Sequence, residues 1–94
     1  MILSYGDRRT ERFARGERVA AFSGFAAQAG RRLAALDSAT SLGDLNALPG
    51  NRLEALRGDR DGQYSIRINR QWRIVFRWAS GEPGPSEVAI VDYH

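Results

Sequence analysis

The sequence predicts an α+β fold, with an N-terminal strand and two to three helices packed on one face of a mostly antiparallel sheet. Apolar residues recur at helical spacing in the first half of the chain and at a spacing of two in the second half. The changeover falls at Leu48-Pro49-Gly50, a turn-forming stretch. With 94 residues the chain is expected to be one domain, 1–94. A domain of this size buries roughly 60–65% of its unfolded surface, so its core is small.

Residues 1–5 are short and largely apolar and end at Gly6, which reads as a first strand. Residues 7–17 are polar around Phe13 and read as a short amphipathic helix closed by Gly16. Phe22, Phe25, Ala26, Ala29, Leu33 and Leu36 then form one stripe along a single helix, with Arg31 and Arg32 outside it. Gly24 and Gly30 weaken that helix by about 1 kcal/mol each relative to alanine, so packing must hold it. Ser41 followed by Asp44 resembles a capping box with Asp in place of Glu or Gln. It starts a short helix through Leu45 and Leu48 that ends at Pro49-Gly50.

Residues 52–57 are a strand candidate, and the glycine- and aspartate-rich 58–62 a turn. In residues 63–68 and 72–78 the period of two puts Tyr64, Ile66, Ile68, Trp72, Ile74, Phe76 and Trp78 on one face. Arg67, Arg73 and Arg77 fall on the other, which is expected to be open and cationic. Residues 69–71 make a tight hairpin loop, 80–86 a loop with two prolines, and 87–93 the last strand.

Composition removes several function classes. There is no cysteine, so neither a disulfide framework nor a thiolate metal site can form. A single histidine makes a histidine-built metal site a poor expectation, and no cofactor is expected. No apolar run approaches the ~18 residues of a membrane span. The N-terminus lacks a signal-peptide layout, so the expected compartment is the cytoplasm. The net charge is +3 and the pI about 10.2, with every cationic side chain an arginine. A compositional bias of the genome is the bland reading of the missing lysine, but the placement of charge is informative. Residues 52–77 hold Arg52, Arg57, Arg60, Arg67, Arg70, Arg73 and Arg77 against Glu54, Asp59 and Asp61. A basic sheet of this kind suits a polyanion, most simply a nucleic acid, because the guanidinium fork matches phosphate and stacks on bases.

Arginines alone bind; chemistry also needs a proton carrier. His94, the last residue and sole histidine, stands beside Asp92 and Tyr93. An imidazole titrates near neutrality, which suits a general acid or base. RNA brings its own nucleophile, the 2′-OH. Cleaving it without metal takes a base for the 2′-OH proton, an acid for the departing 5′-oxygen, and cations for the phosphate charge. Glu54, Asp92 and His94 are candidates for the proton work and Arg57, Arg67 and Arg73 for the charge. Arg77 and Tyr64 are further RNA contacts, Tyr64 by stacking a base. DNA, lacking the 2′-OH, would not be cut. The bland alternatives are an incidental terminal histidine, a solvated arginine face and tryptophans that belong to the core.

Several stretches together resemble the HigB family of toxins, within the wider RelE/ParE-like superfamily. They are Phe13-Ala14-Arg15-Gly16, Leu48-Pro49-Gly50, the pattern of Leu53, Leu56, Arg57 and Gly58, Ser65-Ile66-Arg67, Trp72 to Arg77, and Val91-Asp92-Tyr93-His94. The resemblance covers nearly the whole chain. It implies a RelE-like fold and a type II toxin that acts as a ribosome-dependent mRNA endonuclease in the decoding site, blocking translation. It also implies a HigA-like helix-turn-helix antitoxin that neutralises the toxin and represses the shared operon. Carried over by position, the family's functional residues fall on Arg57, Arg67, Arg73, Asp92, Tyr93 and His94. Arg57 stands where lysine is commoner, and Glu54 where the family often has histidine. Glu54 then serves as base with His94 as acid, or the enzyme is slow or altered in target. Two other readings use the same scaffold. One is a non-nuclease gyrase poison of the ParE type; the other is an attenuated protein kept for its antitoxin contact.

Overall fold

The computed structural model describes residues 1–93. Asp7 starts helix α1 (Arg8–Ala14) by accepting the Thr10 amide at 2.8 Å. The single helix expected across Phe22 to Leu36 is two pieces, a 3₁₀ segment (Ala20–Phe25) and α2 (Ala26–Ser38). Two local features separate them. The Ser23 hydroxyl donates to the Ala20 carbonyl at 2.9 Å, competing for an acceptor that an α-helix uses. Phe25, at φ −140°, then leaves the helical path. A 3₁₀ turn holds three residues, so Phe22 and Phe25 still share one face, and both are buried. From α2 the buried residues are Ala29, Leu33 and Leu36.

Helix α3 (Leu42–Asn46) is capped by the Ser41 hydroxyl, which accepts the Asp44 amide at 3.3 Å. The Asp44 carboxylate reaches back to Thr40, accepting its amide and hydroxyl, each at 2.8 Å. These donors, the Thr40 amide first, hold the Asp44 carboxyl below its ordinary pKa. Stability from a depressed carboxyl is present above its unfolded pKa and lost as pH falls through the folded one. The wild type should therefore exceed Asp44→Ala in urea midpoint at neutral pH, by a small margin. The margin should vanish on acidification below the ordinary carboxylate range, as a urea series at several pH values would show.

The sheet is an antiparallel meander in the order β1 (Glu54–Ala55), β2 (Gln63–Arg67), β3 (Trp72–Arg77), β4 (Ser86–Asp92). β1 is shorter than the expected 52–57. Arg52 is left-handed (φ 47°, ψ 57°) and leads into it, and Gly58–Arg60 forms a 3₁₀ turn beyond it. The β2–β3 hairpin is closed by Asn69, whose Oδ1 accepts the amides of Gln71 at 2.9 Å and Trp72 at 2.8 Å. The expected N-terminal strand is reduced to one parallel bridge, Tyr5 to Val88, with backbone bonds on either side. Asp7 turns the chain into α1 before more can pair. At Gly6 a Cβ would stand 2.9 Å from the Glu87 carbonyl oxygen, so only glycine lets the segment lie this close. Thr10 extends the link, its buried Oγ1 accepting the Ile90 amide at 2.9 Å.

The period of two is realised in the core. Ile66, Ile68, Ile74, Phe76, Val88 and Ile90 pack against Phe22, Leu33 and Leu36. Trp72 and Trp78 are half-buried against the same cluster. The opposite face is not the open surface that parity suggests. Leu56, Ser65 and Val75 are buried there, at 6%, 0% and 2% exposure. No helix among the described residues is long and apolar enough to cross a membrane.

Candidate RNA-cleavage site

The strands bring part of the expected set together. Arg67 and Arg73 are direct cross-strand partners on β2 and β3, and Glu54 is the partner of Ser65 on the next strand out. Directly paired residues of an antiparallel ladder share a face. Like charges opposite each other repel, and each guanidinium is drawn to a different acceptor. Arg67 Nε donates to the Asn69 carbonyl at 3.1 Å. Arg73 crosses β2 to the far strand, where Nη2 donates to the Arg52 carbonyl at 2.8 Å and Nη1 stands 3.7 Å from Glu54 Oε1. The Arg73 side chain is only 12% exposed and that of Glu54 56%. The pair thus joins a sheltered cation to an accessible carboxylate.

The Arg52 carbonyl points to Arg73 from a left-handed residue, and left-handed backbone is uncommon outside glycine. The neighbouring Asn51 is fully buried and fixes this turn. Its Oδ1 accepts from Arg32 Nη1 at 2.7 Å, and its Nδ2 donates to the Leu45 carbonyl at 3.1 Å. Helix α2 therefore supports the site through Asn51 and Arg52. Sequence reasoning missed both, although the Pro49-Gly50 turn marked the place.

The end of β4 adds Tyr93 to this cluster, whereas Asp92 shares the Trp72 side of the sheet, opposite Arg73. Asp92 is the partner of Trp72, and its Oδ2 accepts from Gln71 Nε2 at 2.9 Å. The Tyr93 amide donates to the Gln71 carbonyl at 2.7 Å, and the Arg73 guanidinium carbon stands 5.8 Å from the Tyr93 ring centre. His94 lies outside the described residues.

The other expected residues sit elsewhere. Arg57 is exposed beyond β1. Arg77, at the far end of β3, pairs with Glu87 at 2.9 Å. Tyr64 lies on the core side of β2, stacked on Phe76 at 6.1 Å between ring centres, across the sheet from Arg67 and Arg73.

The α+β meander defines a class of fold before any family. The solved YoeB/ParE toxin from Agrobacterium tumefaciens superposes with a TM-score of 0.52, covering 99% of this chain and 96% of that one at 17% identity. That likeness concerns the fold. The family model of HigB-like toxins, RelE-like toxins of type II toxin–antitoxin systems, matches residues 4–94, and the chain belongs to that family. Toxin HigB-1 of Vibrio cholerae serotype O1 is 47% identical over 51 residues, 54% of each chain. Endoribonuclease HigB of Proteus vulgaris is 43% identical over 51 residues, again 54% of each. The matched stretch thus spans about half the length of these curated relatives.

Proposed function

We propose that this protein is a toxin that cleaves mRNA on the ribosome by metal-independent 2′-OH attack and so inhibits translation. The observation that carries the reading is the Arg73–Glu54 pair, a sheltered guanidinium beside an accessible carboxylate with Arg67 directly opposite. Glu54 takes the 2′-OH proton. The 2′-oxygen forms its bond to phosphorus, the bond from phosphorus to the 5′-oxygen breaks, and that oxygen receives a proton from His94. Arg67 and Arg73 stabilise the phosphate charge, and Arg57 holds the strand at the rim. Tyr93 flanks Arg73 at the site, and Asp92, on the other side of the sheet, acts through Gln71 at the end of the hairpin. The name of the Proteus vulgaris relative, an endoribonuclease, supports RNA cleavage. Membership of a type II family supports an antitoxin partner, here a HigA-like helix-turn-helix protein. Action on ribosomes puts the protein in the cytoplasm.

Mapping mRNA ends after expression of the chain alone tests the activity. Cuts within codons are expected, and growth arrest with intact mRNA and DNA damage would indicate a gyrase poison instead. Glu54→Gln keeps shape and removes the base. It should slow cleavage on programmed ribosomes by about 10²- to 10⁴-fold, the usual contribution of general-base catalysis. Full activity in that variant would remove Glu54 from the mechanism.

A further inference from the structure

Two buried polar atoms, Ser65 Oγ and Arg73 Nε, have no hydrogen-bond partner among the described residues. They lie close in the fold. Ser65 is the partner of Val75 and Arg67 the partner of Arg73, so Ser65 and Arg73 are diagonal neighbours on one face of adjacent strands. One atom is an obligate donor; the other is a hydroxyl able to accept. A buried hydroxyl without a partner lowers stability, and alanine would fit the same strand without that penalty. Ser65 is completely buried, so solvent does not satisfy it.

We propose that Ser65 is a positioning residue for Arg73: when the guanidinium leaves Glu54 for the RNA phosphate, its Nε–H turns onto Ser65 Oγ. The inference rests on the RNA-cleavage reading above. In the free protein Nη2 is anchored on the Arg52 carbonyl at 2.8 Å, whereas Nη1 holds Glu54 only at 3.7 Å. That second contact is too long for a hydrogen bond and easily exchanged for a phosphate oxygen. A guanidinium held through Nε and Nη2 has one edge fixed. The Nη1–Nη2 edge is then left to grip two phosphate oxygens side by side. The same rotation releases Glu54 from its cation as the substrate arrives. The orphaned pair in the free protein is thus half of an arrangement completed on the substrate.

The test compares wild type, Ser65→Ala, Arg73→Lys and the double variant. Unfolding midpoints, single-turnover cleavage on programmed ribosomes, and the Arg73 Nε–H NMR signal of the free protein with a 2′-O-methyl RNA trinucleotide are measured. Ser65→Ala should be at least as stable as wild type. Its kcat should fall about 10- to 100-fold, the size of loss expected from a misplaced group, with KM within about twofold. Lysine at 73 has no Nε–H, so in that background Ser65→Ala should cost nothing further. The Nε–H signal should shift on adding RNA in the wild type and not in Ser65→Ala. Wild-type kcat in Ser65→Ala, an equal loss in both backgrounds, or no RNA-dependent Nε–H shift would each overturn the proposal. If the wild type itself cleaves no mRNA, the cleavage reading fails separately, and the Nε–H response still decides the Ser65–Arg73 pairing.

Discussion

Arg73→Ala is expected to slow mRNA cleavage by about 10²- to 10³-fold, the usual cost of removing one preorganised donor from a developing charge. On the proposed mechanism the loss should fall mainly on kcat, because the charge facing Arg73 would grow as the 2′-oxygen closes on phosphorus. Stability should change little. The partners left behind are the carboxylate of Glu54, more than half exposed, and the Arg52 carbonyl, on an exposed residue. Arg73→Lys should fall between the two proteins, keeping the charge and losing the fork. Arg77→Ala should lose less than Arg73→Ala, because Glu87 already holds Arg77 at the far end of the strand. Single-turnover cleavage with urea unfolding on the same samples makes the comparison. Arg73→Ala within about fivefold of wild type, fully folded, would take Arg73 out of the mechanism.

How much of this site the residues foretell depends on the kind of fact. Alternation along 63–68 and 72–78 states which residues share a face, and the core obeys it from Ile66 to Phe76. The strands also bring Glu54, Arg67 and Arg73 to one face. Alternation does not state how far a side chain reaches. Arg73 crosses a whole strand to find Arg52, and no residue pattern encodes that. Nor does it encode a carbonyl as a partner, since every residue has one; Arg52 serves because its backbone is left-handed. Ser65 reads as a polar residue on an outer face and is instead fully buried beside Val75. Tyr64 joins the arginines by its chemistry alone, and its even position already puts it on the core side. The helix split at Phe25 has a similar origin, because a spacing of three satisfies both 3₁₀ and α geometry until Ser23 and Phe25 decide between them.

Phe22→Ala should lower stability more than any other single truncation in the core. Phe22 is completely buried and, with Phe76, is the largest fully buried side chain there. Its ring meets Phe13 at 5.5 Å edge-on, Phe25 at 5.8 Å and Trp72 at 5.8 Å edge-on, with the Arg9 guanidinium 5.1 Å from its centre. Truncation removes the transfer energy of a phenyl group and leaves a cavity between elements that do not otherwise close on it. The cost is about 3–5 kcal/mol. A domain of this length has in total roughly 5–14 kcal/mol, so one residue carries a large share. The melting temperature should fall by about 15–30 °C, and the urea midpoint should fall with an unchanged slope. Phe22 also sits in a 3₁₀ segment, too short to persist without tertiary contacts. Its loss frees the segment and loosens Trp72, the residue before Arg73. Cleavage measured well below the new midpoint should therefore drop further than the folded fraction explains. Phe22→Leu, which fills most of the space, should recover most of the stability. A loss below about 1 kcal/mol in Phe22→Ala would mean that α2 and the sheet close without the 3₁₀ segment, against the packing described.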